Sequence, residues 1–133
     1  STRFIALDPV ADHRLHERVA NQMTTSAETR RPTLDGLLTE FADVEVVVTM
    51  RYHGAVAAAL TGATVAALPF SPKLSSLVND LGPAAVDAAD PSDLPRATVR
   101  ALAGGQHLAE AVEHLTKLAA GNITALDNLL EAS

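Results

Sequence analysis

The sequence predicts an α/β fold, a Rossmann-like three-layer domain with a mainly parallel sheet flanked by helices, and three observations carry that prediction. The first is the β-branched run Val44, Val46, Val47 and Val48, which reads as a strand buried on both faces. The second lies immediately downstream: an Ala-rich helix from Ala55 to Leu60, stopped by Gly62 and leading at once into a second apolar run, Thr64 to Leu68. Strand, small-residue helix and strand in that order make a β-α-β unit, with parallel strands and a right-handed crossover. The third is composition. Hydrophobic residues make up 47% of the chain and aromatic ones only 3%, so the core is built from Ala, Val and Leu. A length of 133 residues is that of a single domain, 1–133, large enough to bury a real core.

Taken in order, the chain opens on a strand from Arg3 to Leu7, closed by Asp8-Pro9. Asp12 or a neighbour then starts a helix with Leu15, Val19 and Met23 on one face. His13 and His16 lie three apart on it, a spacing open to metal ligation. No third ligand completes a set, however, and Arg14 and Arg18 add unfavourable charge, so a solvated helix face is the better account. Thr24 to Pro32 is polar and turn-rich, with room for a short strand. Thr33 to Phe41 reads as a helix, with Leu34, Leu37, Leu38 and Phe41 at helical spacing.

After the central β-α-β stretch, Pro69 to Lys73 turns the chain into a helix from Lys73 to Leu81, with Leu74, Leu77, Val78 and Leu81 inward and Gly82-Pro83 as its stop. Ala84 to Val86 is a candidate last strand. Asp87 to Pro95 is an acidic, proline-bearing connection whose acids read as a solvated loop, with Asp90 or Ser92 capping the next helix. Arg96 to Ala103 is a short helix ended by Gly104-Gly105. The last helix carries Leu108, Val112, Leu115, Ala119, Ile123, Leu126 and Leu130 at a spacing of about 3.5 residues, with Gly121-Asn122 as a candidate break. That stripe suits packing on its own sheet, on a further domain, or on a second copy in a homo-oligomer.

The net charge is -6 and no basic stripe appears, which argues against nucleic acid and anionic membrane as partners. The absence of cysteine removes disulfides, a thiolate nucleophile and thiolate zinc sites, and suits a cytoplasmic location. No apolar run approaches the ~20 residues of a membrane span, and the amino terminus carries no signal-peptide pattern. The chain starts abruptly in a strand, without an initiator Met, as expected of the carboxyl-terminal part of a larger enzyme whose amino-terminal domain would complete the active site.

Chemistry concentrates at the carboxyl ends of the two central strands, where open parallel sheets collect their ligands. Arg51 and His53 come after the first strand, and Ser71 and Lys73 after the second. Together with the unpaired N–H groups of two helix starts they make a candidate pocket for phosphate or carboxylate. The same residues also fit a purely structural reading, in which Arg51 pairs with a carboxylate and His53 is an exposed helix-start residue.

The run MRYHGAVAAALTGATVAALPFSPKLSSLVNDLG resembles the most recognisable segment of the polysaccharide pyruvyl transferase family, at Met50, Arg51, His53, Ala58, Ala59, Gly62, Val65, Phe70, Pro72, Lys73 and Leu81-Gly82. Tyr52 stands where that family usually has an aliphatic residue, Phe70 where Tyr is frequent, and Ser71 where an acid is common. The resemblance implies the carboxyl-terminal domain of a two-domain, GT-B-like enzyme. Such enzymes move pyruvate from phosphoenolpyruvate onto two hydroxyls of a glycan acceptor as a ketal, in cell-surface polysaccharide synthesis, and no metal or organic cofactor is demanded. It implies further that Arg51 binds phosphate or carboxylate as a bidentate fork, that Lys73 and Ser71 assist, and that His53 protonates the enol methylene. Two rival classes remain: a nucleotide-sugar glycosyltransferase domain of the same architecture, and a non-catalytic interaction domain working through the leucine stripe.

Overall fold

Each β-α-β stretch of the sequence closes into a parallel pair, and the chain falls into two compact units, residues 1–43 and 44–133. The structure, a computed structural model, describes residues 2–8, 10–33 and 36–131, without the side chains of 125–127, 129 and 130. The fold is α/β, with parallel sheets of two and three strands flanked by helices in a Rossmann-like arrangement.

In the first unit, β1 (Thr2–Ile5), α1 (Ala11–Ala20) and β2 (Ala27–Arg30) form a parallel pair in the register Thr2↔Ala27 to Ile5↔Arg30, with the short helix α2 (Leu37–Phe41) after them. The polar stretch from Thr24 to Pro32 thus does hold a strand. Asp8 fixes the start of α1: its Oδ1 accepts from the N–H groups of Val10 and Ala11 at 3.1 and 3.0 Å, while Asp12 Oδ2 accepts from Asp8 N–H at 2.8 Å. Such reciprocal caps satisfy N–H groups that the first helical turn leaves open. The Arg3 guanidinium donates to the Glu40 carbonyl at 2.7 Å and to both Asp43 carboxylate oxygens at 3.0 and 3.2 Å, which ties β1 to α2. That fork holds the Asp43 carboxyl below the usual carboxylate range.

The expected inward face of α1 is only lightly covered. No residue of α1 is buried, and Leu15 and Val19 are exposed. The histidine pair also departs from a uniformly solvated face: His16 stacks on Phe4 with ring centroids 5.0 Å apart, and burial lowers its affinity for a proton. His13 is half-buried as well: its Nε2 lies 3.2 Å from Glu17, while its Nδ1 is sealed from water with no hydrogen-bond partner among the described residues. The helix expected from Thr33 begins only at Leu37, where Leu37 and Phe41 are buried; Leu34 lies outside the described residues.

In the second unit, β3 (Val46–Thr49), β4 (Thr64–Ala67) and β5 (Ala85–Asp87) form a parallel sheet in the order β3-β4-β5. The strand buried throughout is β4, not the valine run. β3 is an edge, its residues are mostly half-buried, and Val48 is 53% exposed. Position in the sheet overrides hydrophobicity here, because an edge strand has a neighbour on one side only.

Between the strands run α3 (Tyr52–Thr61) and α4 (Pro72–Leu81), which pack on one another and on the sheet, while α5 (Leu94–Ala103) packs on all three strands. Ala66 of β4, Ala88 and Ala97 of α5 are buried together with Leu68, Val86 and Leu94 against them, which marks the α5 face. Because side chains alternate along a strand, Val65, Ala67, Ala85 and Asp87 face the other way, toward α3 and α4. There Ala55 and Ala58 are fully buried, and their small side chains let α3 lie close to the sheet. Gly62 ends α3 at φ 85°, a left-handed conformation that glycine adopts without strain.

The helix α6 (Leu108–Glu131) is continuous through Gly121-Asn122, so the candidate break does not form. Leu108 and Ala109 share a wall with Gly62 at the carboxyl end of α3, while Leu115 and Ala119 share one with Tyr52 and His53 at its amino end, so α6 runs antiparallel to α3. Its stripe is covered only over the first half. Leu108 is buried, Val112 and Leu115 are half-buried, and Ala119 and Ile123 are exposed, with the side chains of Leu126 and Leu130 outside the described residues. Among the described residues no helix is long and apolar enough to cross a membrane.

Candidate functional site

At the carboxyl edge of the three-stranded sheet the chain leaves β3, β4 and β5 through three neighbouring turns, two of which lead directly into helices. Behind β3, Thr49 Oγ1 accepts from Arg51 N–H at 3.0 Å and donates to the Arg51 carbonyl at 3.2 Å. This local clamp puts Arg51 in extended backbone and starts α3 at Tyr52. Among the described residues no side chain caps that helix. Behind β4 the outcome differs. Ser71 Oγ accepts from Leu74 N–H at 3.3 Å and Pro72 takes the first helical position, so α4 starts capped.

His53 and Lys73, the first-turn residues of these successive helices, line one groove of about 740 Å³ between α3, α4 and α6. Tyr52 stands at the same end, edge-on to His53 with ring centroids 5.6 Å apart. All three side chains are exposed. Farther along, the walls turn apolar, with Val56 and Leu60 from α3, Leu77 from α4, and Val112 and Leu115 from α6. Asp80 places a carboxylate at the far end. The fold therefore brings together two of the four residues that the sequence singles out. Arg51 is half-buried at the helix start and outside the groove lining, and the Ser71 hydroxyl is engaged as a cap.

Asp87 belongs to this edge, although the sequence pattern places it in a solvated loop. It ends β5 instead of coming after it, pairing in register with Ala67, which in turn pairs with Thr49. Those three residues form the last row of the sheet on the face that carries α3 and α4. Its Oδ1 is sealed from water without a hydrogen-bond partner among the described residues, and burial pushes the carboxyl above its usual range. An acid one residue past a predicted parallel strand is the available signal, since that position lies on the edge where ligands collect. The later acids of that stretch do behave as capping and surface groups: Asp90 Oδ1 accepts from Ser92 N–H at 2.7 Å, and Asp93 Oδ2 accepts from Arg100 at 3.1 Å.

Chemically, the edge offers two helix starts, an imidazole and an ammonium on one groove, and a carboxyl that retains its proton more readily than usual. Such a set suits an anion and a proton transfer. Among the described residues no group of three or more histidines and acids could hold a metal ion, including the surroundings of His13 and His16. Comparisons of the chain with protein-family models, with characterised proteins and with solved structures gave no match.

Proposed function

We propose that this chain is the donor-binding domain of a pyruvyl transferase, which takes phosphoenolpyruvate and delivers its pyruvyl group to a glycan acceptor as a ketal. The observation that carries the reading is the meeting of His53 and Lys73, from successive helix starts, on one groove at the carboxyl edge of a parallel sheet. The Met50-Arg51-x-His53 run and the Pro72-Lys73 turn that resemble the family are the segments that supply this edge. Lys73 and the helix starts attract the phosphate, and the family resemblance gives Arg51, half-buried at the start of α3, the contact to phosphate or carboxylate. His53 protonates the enol methylene, which becomes a methyl group. The central carbon is then electrophilic: one sugar hydroxyl adds to it, phosphate leaves with the electron pair of the broken C–O bond, and the second hydroxyl adds to the carbon so exposed, one hydroxyl proton returning to His53 and the other leaving with phosphate. The acceptor comes from a facing amino-terminal domain, and the reaction belongs in the cytoplasm, where a chain without cysteine is at home.

Calorimetric titration with phosphoenolpyruvate tests the reading. Charge-assisted contacts are worth ~1.5–3 kcal/mol each, so Arg51→Ala and Lys73→Ala each weaken binding by about tenfold or more. His53→Ala retains binding and abolishes phosphate release when the facing domain and acceptor are supplied. Equal affinity of wild type and Arg51→Ala, or a preference for a nucleoside diphosphate over phosphoenolpyruvate, would sink it and favour the glycosyltransferase class.

A further inference from the structure

We infer that the groove between α3, α4 and α6 takes a single-chain amphiphile with an anionic head, a ligand class that pyruvyl transfer does not call for. The groove has a direction. At one end stand Lys73, His53 and the positive ends of two helix dipoles, and beyond them Val56, Leu60, Leu77 and Leu115 line a mainly apolar stretch of channel that ends at Asp80. Leu60 is 58% exposed, a large apolar side chain at the groove wall with water as its neighbour. A volume of about 740 Å³ falls in the range of small-molecule sites. Phosphoenolpyruvate, a small and fully polar anion, would use the charged end and leave the channel wet. A head of phosphate or carboxylate on one alkyl chain matches both parts, its charge against Lys73 and its tail along α3.

Charge also selects among occupants. With a net charge of -6 the protein as a whole repels an anionic bilayer, so the attraction is local to the Lys73 end and suits one molecule rather than a membrane surface. From His53 to Leu60 the helix rises about 10 Å, which sets the length of tail that the channel can cover.

The inference shares Lys73 and His53 with the proposed donor site but stands or falls separately. The probes are n-butyl, n-hexyl, n-octyl and n-dodecyl phosphate below their micelle concentrations, titrated calorimetrically against the full chain and compared with inorganic phosphate and phosphoenolpyruvate. Each added methylene should tighten binding by up to about fourfold, levelling off once the tail exceeds the ~10 Å channel. Leu60→Gln, on an exposed side chain that the fold does not need, should flatten that dependence and leave phosphoenolpyruvate binding unchanged. Lys73→Gln should weaken every alkyl phosphate by about tenfold and leave n-octyl glucoside unaffected. Affinity independent of tail length overturns the inference, as do binding seen only above the micelle concentration, binding to anionic vesicles that Leu60→Gln retains, and a self-association that Leu60→Gln abolishes. A tail-length dependence with no binding of phosphoenolpyruvate keeps this site and removes the pyruvyl-transfer reading; binding of phosphoenolpyruvate with a flat series does the reverse.

Discussion

Replacing Gly104 by alanine should damage the second unit severely, through a clash that the backbone itself makes. Gly104 ends α5 with φ -85°, a conformation open to every residue, so its backbone does not require glycine. Its neighbours do. A Cβ there would lie 1.8 Å from the Pro83 carbonyl oxygen, 2.3 Å from the Pro83 carbonyl carbon and 3.0 Å from the Ala84 nitrogen. Carbon–oxygen contacts close to about 3.3 Å, so the two segments must part by roughly 1.5 Å. All three contacted atoms are backbone, in the 3-10 turn Gly82–Ala84 that feeds β5, and no side-chain rotation relieves them. Overpacking of this kind costs ~1–3 kcal/mol where side chains yield, and with rigid backbone on both sides we expect at least ~3 kcal/mol. For a chain of this length that is a fall in Tm of about 10 °C or more, read by thermal or urea unfolding monitored by circular dichroism. Two controls bracket the effect. Gly105→Ala would meet only the Thr64 Cγ2 methyl at 3.2 Å and should stay within ~1 kcal/mol. Gly121→Ala, with nothing within 4 Å and a mid-helix position, should stabilise by ~0.5–1 kcal/mol. A Gly104→Ala protein within ~1 kcal/mol of wild type would show that α5 and the Pro83 turn do not touch as described.

Two further predictions concern pH. The Asp87 carboxyl holds its proton more tightly in the folded state than in the unfolded chain, so wild-type stability falls as pH rises from the ordinary carboxylate value of 3.8 through the higher folded value. Asp87→Asn should remove that loss and stabilise the protein near neutral pH by up to ~1 kcal/mol; an unchanged pH profile would mean that Oδ1 finds a partner in solution. His16 has the opposite sign, since the unfolded state takes up a proton at a higher pH than the folded one. Stability is therefore lost as pH falls below the ordinary imidazole value of 6.5, toward the lower folded value. His16→Gln should flatten denaturant midpoints between neutral and mildly acidic pH, and a flat wild-type curve would show that the Phe4 contact does not exclude water.

The alternation of strands and helices from Val46 onward is legible in the amino-acid order alone, because its signals are local. A β-branched run, an alanine helix, the left-handed Gly62 and the Ser71-Pro72 helix start each act within a few residues of the chain. The edge where His53 and Lys73 stand is legible for the same reason, since parallel strands joined by helices put successive helix starts at one edge. Other features depend on partners distant in the chain and emerge only on folding. Strand order makes β4 the buried strand and leaves Val48 exposed, although the valine run is the more hydrophobic. Register moves Asp87 from a loop to the last row of the sheet beside Ala67 and Thr49. Gly104 reads in sequence as an ordinary helix stop, yet it is the Pro83 carbonyl, reached only when α5 folds back on the sheet, that excludes a side chain. The regular stripe of α6 likewise runs on past Ala119, but burial tracks the partner and not the pattern: α3 and α4 cover its first half, and the helix continues beyond them with Ile123 in water.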